Sequence, residues 1–164
     1  MTPATANGME VLARVGTELD VPVLVELYQN FREALRGERG ASIYLSKEAF
    51  AEPLDSYFET IVHDRHHLVL LGLVDEVPVG LAVARLEELP DSSCTATALV
   101  IYVEPPAREV GVGENLLAAV VEWAGARGAG GLDVPVLPGM RESKNFLEGA
   151  GLAARLLVMH RRLN

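Results

Sequence analysis

The stretch Val103-Glu104-Pro105-Pro106-Ala107-Arg108-Glu109-Val110-Gly111-Val112-Gly113 holds residue types suited to binding an anion. Glycines spaced G-x-G let a loop curl, and a helix starting behind them leaves N–H groups unpaired at its positive end. Phosphate is the natural guest for such donors, and Arg108 adds a formal charge beside them. A lone G-x-G also serves as an ordinary tight turn. Common nucleotide loops do not fit. Leu116 stands where a dinucleotide fingerprint needs its third glycine, and no G-x-x-x-x-G-K-[ST] occurs.

Other reactive side chains are sparse. His63, His66 and His67 have the spacing of one helix face, but they straddle a helix end without an acidic or cysteine partner motif. A solvated helix C-terminus is the expectation, and no metal. Cys94 falls in a polar stretch with no triad pattern, so a bystander thiol is expected. A single cysteine excludes an intramolecular disulfide and suits a reducing, cytoplasmic compartment.

These residues must be positioned by a scaffold, and the apolar periodicity outlines one. Residues 1–8 read as a loose tail of small and polar types, and residues 9–164 as one domain. Glu10–Val15 alternates as a strand; Asp20 reads as the N-cap of a helix over Val21–Arg36, and Gly37–Tyr44 as a loop. Ser46 can cap a helical turn, and Pro53 restarts a helix with Leu54, Tyr57, Phe58, Ile61 and Val62 on its apolar face. Leu68–Val74 and Val79–Leu86 form a hairpin through Asp75-Glu76, and Thr95–Val103 is a third strand too apolar to face water. Gly113–Arg127 is the strongest helix. Leu132–Val136 is a short strand, Arg141–Glu148 a short helix, and Leu152–Leu163 a final extended segment. The order β-α-α-β-β-β-α-β-α-β describes an α/β domain with a mixed central sheet flanked by about four helices.

Composition narrows the function classes. A net charge of −9 argues against a nucleic-acid binder, because affinity for phosphate backbones comes mostly from Lys and Arg. The apolar runs fall far short of the ~18 residues that span a bilayer, so no membrane partner is expected. With 164 residues, 49% of them hydrophobic, packing alone can stabilise the fold.

Val103, Pro105, Arg108, Gly111 and Gly113 resemble the acyl-CoA motif of the GNAT superfamily of N-acetyltransferases, V-x-P-x-x-[RQ]-x-x-G-x-[GA], set between a strand and a helix. Glu109 replaces a common glycine. The element order is similar to the family fold, and Phe146-Leu147-Glu148-Gly149-Ala150-Gly151-Leu152 resembles the family's second signature. The resemblance implies transfer of an acetyl group from acetyl-CoA, without a metal, to a primary amine of a small molecule or peptide. It implies that the backbones of Ile101, Tyr102 and Val103 hold the pantetheine arm in a gap between two strands. Arg108, Glu109, Val110, Gly111, Val112 and Gly113 would hold the pyrophosphate, and Ser143, Asn145 and Phe146 on the last helix would flank the thiol end.

The catalytic side departs from the family. Leu147 occupies the position of the tyrosine that protonates the leaving thiolate, and Met140 that of the usual asparagine. Thr95 and Thr97 stand on the strand where some members carry a glutamate. The resemblance leaves Asp133 as a candidate base, with an ordinary surface aspartate as the alternative, and water as the base if neither serves. His160, on the last segment, would border the acceptor site. An acyl-CoA-binding or protein-interaction module without turnover is the competing reading. The apolar run Leu156-Leu157-Val158-Met159 at a sheet edge implies a homodimer, unless the N-terminal tail covers that edge.

Overall fold

The computed structural model describes residues 4–6 and 8–163. Strands β1 (Ala4–Ala6), β2 (Met9–Val15), β3 (His67–Val74), β4 (Val77–Glu88), β5 (Cys94–Val103) and β6 (Leu132–Asp133) form one sheet in the order β1-β2-β3-β4-β5-β6. Every pairing is antiparallel except β5 with β6. Helices α1 (Val21–Leu35), α2 (Ala41–Glu48) and α3 (Leu54–Ile61) precede β3, and α4 (Val112–Ala126) and α5 (Arg141–Gly149) follow β5 and β6.

Both faces of the central strands are covered, which is why their sequences are almost continuously apolar. Val69, Leu71, Leu81, Val83, Val100 and Tyr102 pack against α1 and α3, joined by Leu24, Tyr28, Phe31, Leu54 and Phe58. Leu68, Leu70, Ala82, Ala84 and Ala98 face α4 and meet Val112, Leu116, Ala119 and Val120. Small residues dominate that second face, so α4 lies close to the sheet. Gly72 and Gly80 pair across β3 and β4, and a Cβ at either would meet Val112 Cγ1 at 2.5 and 2.9 Å. This glycine pair seats the N-terminus of α4 against the strands.

One irregularity in β5 shapes the site. Val83 pairs with Val100 but Ala84 with Ala98, so Leu99 is an extra residue and side-chain parity flips there. Leu99, Val100 and Tyr102 turn to the α1 side, whereas Ala98 turns to α4.

Several expectations need correction. Residues 4–6 of the expected loose tail pair with β2, while residues 1–3 and 7 lie outside the described residues. The expected loop 37–44 is cut short by α2, which makes five helices among the described residues where about four were expected; Ala41 is buried at its start. Cys94 opens β5, one residue before the expected start of that strand at Thr95. Asp20 stands at the N-cap of α1 without capping it. Its carboxylate turns back to a two-pronged pair with Arg14 at 2.7 and 2.8 Å, and accepts from the Thr17 N–H and hydroxyl. Leu152–Leu163, expected as a final extended segment, has no regular secondary structure and joins no strand among the described residues.

Candidate active site

The chemistry-bearing loop begins where β5 ends. Pro105–Ala107 forms a 3-10 turn, and Arg108 is held by its Nε–H donating to the Val103 carbonyl at 3.1 Å, which leaves the rest of the guanidinium available. Glu109 and Gly111 are left-handed, with φ of 68° and 96°. That conformation explains why glycine is common at the position of Glu109: a side chain there carries strain of about 1 kcal/mol. The two left-handed residues curl the loop so that the N–H groups of residues 109–114 find no acceptor among the described residues. Asn115 is the first to donate, to the Gly111 carbonyl. No side chain caps α4. A row of free N–H groups at a helix N-terminus, with an arginine alongside, suits a diphosphate.

Next to this cradle the sheet opens. The β5–β6 pairing consists of Ala96 with Leu132 and Thr97 with Asp133; beyond Thr97 no strand pairs with that edge of β5 among the described residues. The segment Ile101–Val103 therefore presents a free backbone edge leading from the strand fork to the loop, and an amide-bearing chain can pair with it. Phe146 of α5 closes the same corner, its ring 3.5 Å from where a Gly113 Cβ would lie. Ser143 is half-buried and Asn145 exposed on α5. A groove of about 280 Å³ between α4 and α5, lined by Glu114, Leu117, Val121 and Phe146, continues outward.

The structure thus brings Ile101, Tyr102, Val103, the loop from Arg108 to Gly113 and Phe146 to one corner. It treats the catalytic candidates differently. Asp133 shares the face of Thr97 at the fork, but its carboxylate is taken by a two-pronged ion pair with Arg155. The bonded guanidinium holds its pKa below the usual carboxylate range, the opposite of a base poised for neutral pH. His160 is exposed on the unpaired tail, on no strand. Leu147 is buried. His63 pairs with Glu18 and His67 with Asp64, and no metal-binding cluster of His, Cys, Asp or Glu occurs among the described residues.

Sequence reasoning missed Glu104. Asn30 of α1 donates to its Oε1 at 2.6 Å and the Tyr102 hydroxyl to its Oε2 at 2.9 Å, tying α1 to the mouth of the loop. Burial, reinforced by the Glu104 carboxylate, pushes the Tyr102 hydroxyl up to about 12. It keeps its proton at neutral pH. The two-residue period of a strand places 102 and 104 on one side, which is the signal that could have found the pair.

Residues 24–152 match the acetyltransferase (GNAT) family. Among solved structures, the BH1408 protein of Bacillus halodurans superposes with a TM-score of 0.77 at 23% identity, covering 93% of this chain and 99% of that one. The ribosomal-protein-alanine N-acetyltransferase of Brucella melitensis gives 0.69 at 19%, covering 94% and 99%. AAC(6')-Iy, in complex with a bisubstrate analog of CoA and acetylneamine, gives 0.67 at 21%, covering 94% and 98%. At these identities the likeness shows the fold. No curated protein matches the sequence.

Proposed function

The chain belongs to the acetyltransferase (GNAT) family, and from that membership we propose that it transfers an acetyl group from acetyl-CoA to a primary amine of a small molecule or peptide. The observation that carries this reading is the continuity of two unsatisfied backbone surfaces. The free N–H groups of residues 109–114 run into the unpaired edge of Ile101–Val103, a shape that takes a diphosphate followed by an amide-linked arm. Ser143, Asn145 and Phe146 flank the thiol end of that arm in this reading. Structural neighbours named for ribosomal-protein-alanine and aminoglycoside acetylation support an amine acceptor.

Acetyl-CoA supplies an activated thioester, whose carbonyl carbon gains the bond to nitrogen as its bond to sulfur breaks. The protein's part is placement. Strand N–H groups hold the carbonyl oxygen, and the fork at Thr97 admits the amine beside it. With Asp133 committed to Arg155 and Leu147 buried, water at the open mouth takes the amine's proton and returns one to the leaving sulfur.

Those same two residues favour a second reading, a GNAT-fold module that binds acyl-CoA or a partner protein without turnover. A thiol-release assay over polyamines, amino acids, aminoglycosides and peptide N-termini separates the two. Turnover saturating in both substrates is the expected result, and binding of acetyl-CoA without turnover on any amine selects the module.

The working unit in this proposal is a homodimer in the cytoplasm. Leu156, Leu157, Val158 and Met159 are between 67% and 90% exposed on the tail, a continuous apolar run of the kind that soluble proteins cover. A monomer in which the N-terminal tail covers this run is the alternative; β1, the described part of that tail, pairs with β2 at the sheet edge opposite β6. No helix among the described residues is long and apolar enough to cross a membrane.

A further inference from the structure

Two unfinished edges of this chain lie side by side. The run Leu132-Asp133-Val134-Pro135-Val136-Leu137 has the apolar content of a full strand, but only Leu132–Asp133 pairs, and only with β5. Among the described residues no strand lies on the far side of β6. Ala96 donates to the Gly131 carbonyl, so along this run residues 131, 133 and 135 turn their backbone groups towards β5 and residues 132, 134 and 136 turn theirs outwards. Pro135, which has no N–H, therefore leaves the outward edge with its donors intact.

The second edge is residues 152–163. After Leu152, which donates to the Leu147 carbonyl, no backbone N–H of this segment meets an acceptor among the described residues. Paired as a strand, it would present Leu156 and Val158 on one face and Leu157 and Met159 on the other. A run apolar on both faces suits a strand inside a sheet rather than one at its rim. Arg155 anchors its start, because its guanidinium binds both oxygens of Asp133 through side chains alone. The arm thus leaves the body beside the fork between β5 and β6.

Charge selects the occupant of the outward edge. Residues 152–163 carry three arginines and no acidic residue, whereas the chain as a whole has a net charge of −9. The arm is a basic strap for an acidic body, and a second copy of this chain offers both that charge and the edge of residues 132–137. An arm of eight residues, 156–163, reaches roughly 26 Å, enough to run along those six. Reciprocal exchange about a two-fold axis fills both edges at once.

We propose that the acceptor site is shared between two copies: residues 156–163 of each chain pair with the edge of residues 132–137 of the other and wall the open side of its fork. The partner's His160 and the partner's Arg161 come to the acceptor entrance with the arm. The cradle of residues 109–114 and the edge of Ile101–Val103 lie within one chain, so acetyl-CoA needs no partner. The amine does. This inference rests on the acetyl transfer proposed above, and it deepens the dimer by giving the partner a part of the site.

Two measurements on the full-length protein test it. In a Cys94→Ser background, Val136→Cys is combined in turn with Leu156→Cys, Leu157→Cys, Val158→Cys or Met159→Cys, and mild oxidation is followed on a non-reducing gel. Disulfides that join two chains are expected at alternate positions, since side chains on one face alone come within bonding reach. Separately, Leu157→Asp is compared with the wild type; Leu157 is 82% exposed, so the change removes no packing within a chain. The variant should be monomeric by light scattering and bind acetyl-CoA within about twofold of the wild type by calorimetry. Its amine-dependent thiol release should fall roughly tenfold or more, because the amine is no longer positioned. No cross-link, a cross-link confined to one chain, a monomeric wild type, or full thiol release by monomeric Leu157→Asp would each overturn the inference. Thiol release by the wild type on no amine, with the cross-links present, would instead overturn the proposed transfer, and the shared acceptor site with it.

Discussion

Gly111 and Gly113 look interchangeable in the motif, yet the structure gives them different tasks. Gly111 is left-handed with open space where a side chain would point, so its need is conformational. Gly113 has no such backbone, and a Cβ there would make only ordinary contacts with Phe146 and Val103. What a Gly113 side chain obstructs is the approach of a ligand. Gly111→Ala should therefore lower unfolding stability by about 1–2 kcal/mol and weaken acetyl-CoA binding as the loop distorts. Gly113→Ala should leave the melting temperature in place and lose affinity alone. Paired calorimetry and thermal melts check this; full affinity in Gly113→Ala would move the ligand away from the start of α4. The loop of the candidate site was legible because backbone requirements leave glycine and proline in the sequence at fixed spacing. Glu104 was not, because its partners Asn30 and Tyr102 come from α1 and β5 and only the fold brings them together.

At the scale of elements, β2 and α1 are joined through Asp20. Hydrogen bonding from Arg14, with the Thr17 backbone and hydroxyl, holds this carboxyl far below the usual carboxylate range. A depressed native pKa stabilises the fold above the unfolded value of about 3.9, and that contribution is lost as pH falls towards the native value. Asp20→Asn should cost about 2 kcal/mol at neutral pH. The gap between wild type and variant in melting temperature should hold steady from pH 5 to 8 and close below about pH 4. A gap independent of pH would mean that packing, not charge, joins the two elements. Most element boundaries were readable from periodicity, as in α1, whose buried Leu24, Leu27, Tyr28, Phe31 and Leu35 follow helical spacing. Helix α2 escaped detection because its buried contact is mainly Ala41, and an eight-residue helix with a weak apolar stripe leaves little signal. The final segment misled in the opposite sense: its apolar run reads as a strand, but among the described residues no edge receives it.

For the whole molecule, that unreceived segment and the charge of −9 matter more than any single contact. If the tail finds its partner on a second copy, light scattering at micromolar protein should give a dimeric mass, and Leu157→Asp should shift it to the monomer. A monomeric wild type that persists with bound CoA would contradict the dimer. More directly testable is the proposed acyl-CoA receptor formed by the free N–H groups of residues 109–114 and the open edge of β5. Calorimetric titration with acetyl-CoA and desulfo-CoA should show saturable binding of both, one ligand per chain, because the diphosphate and the pantetheine amides rather than the sulfur supply the contacts. No binding of either at millimolar ligand would contradict it.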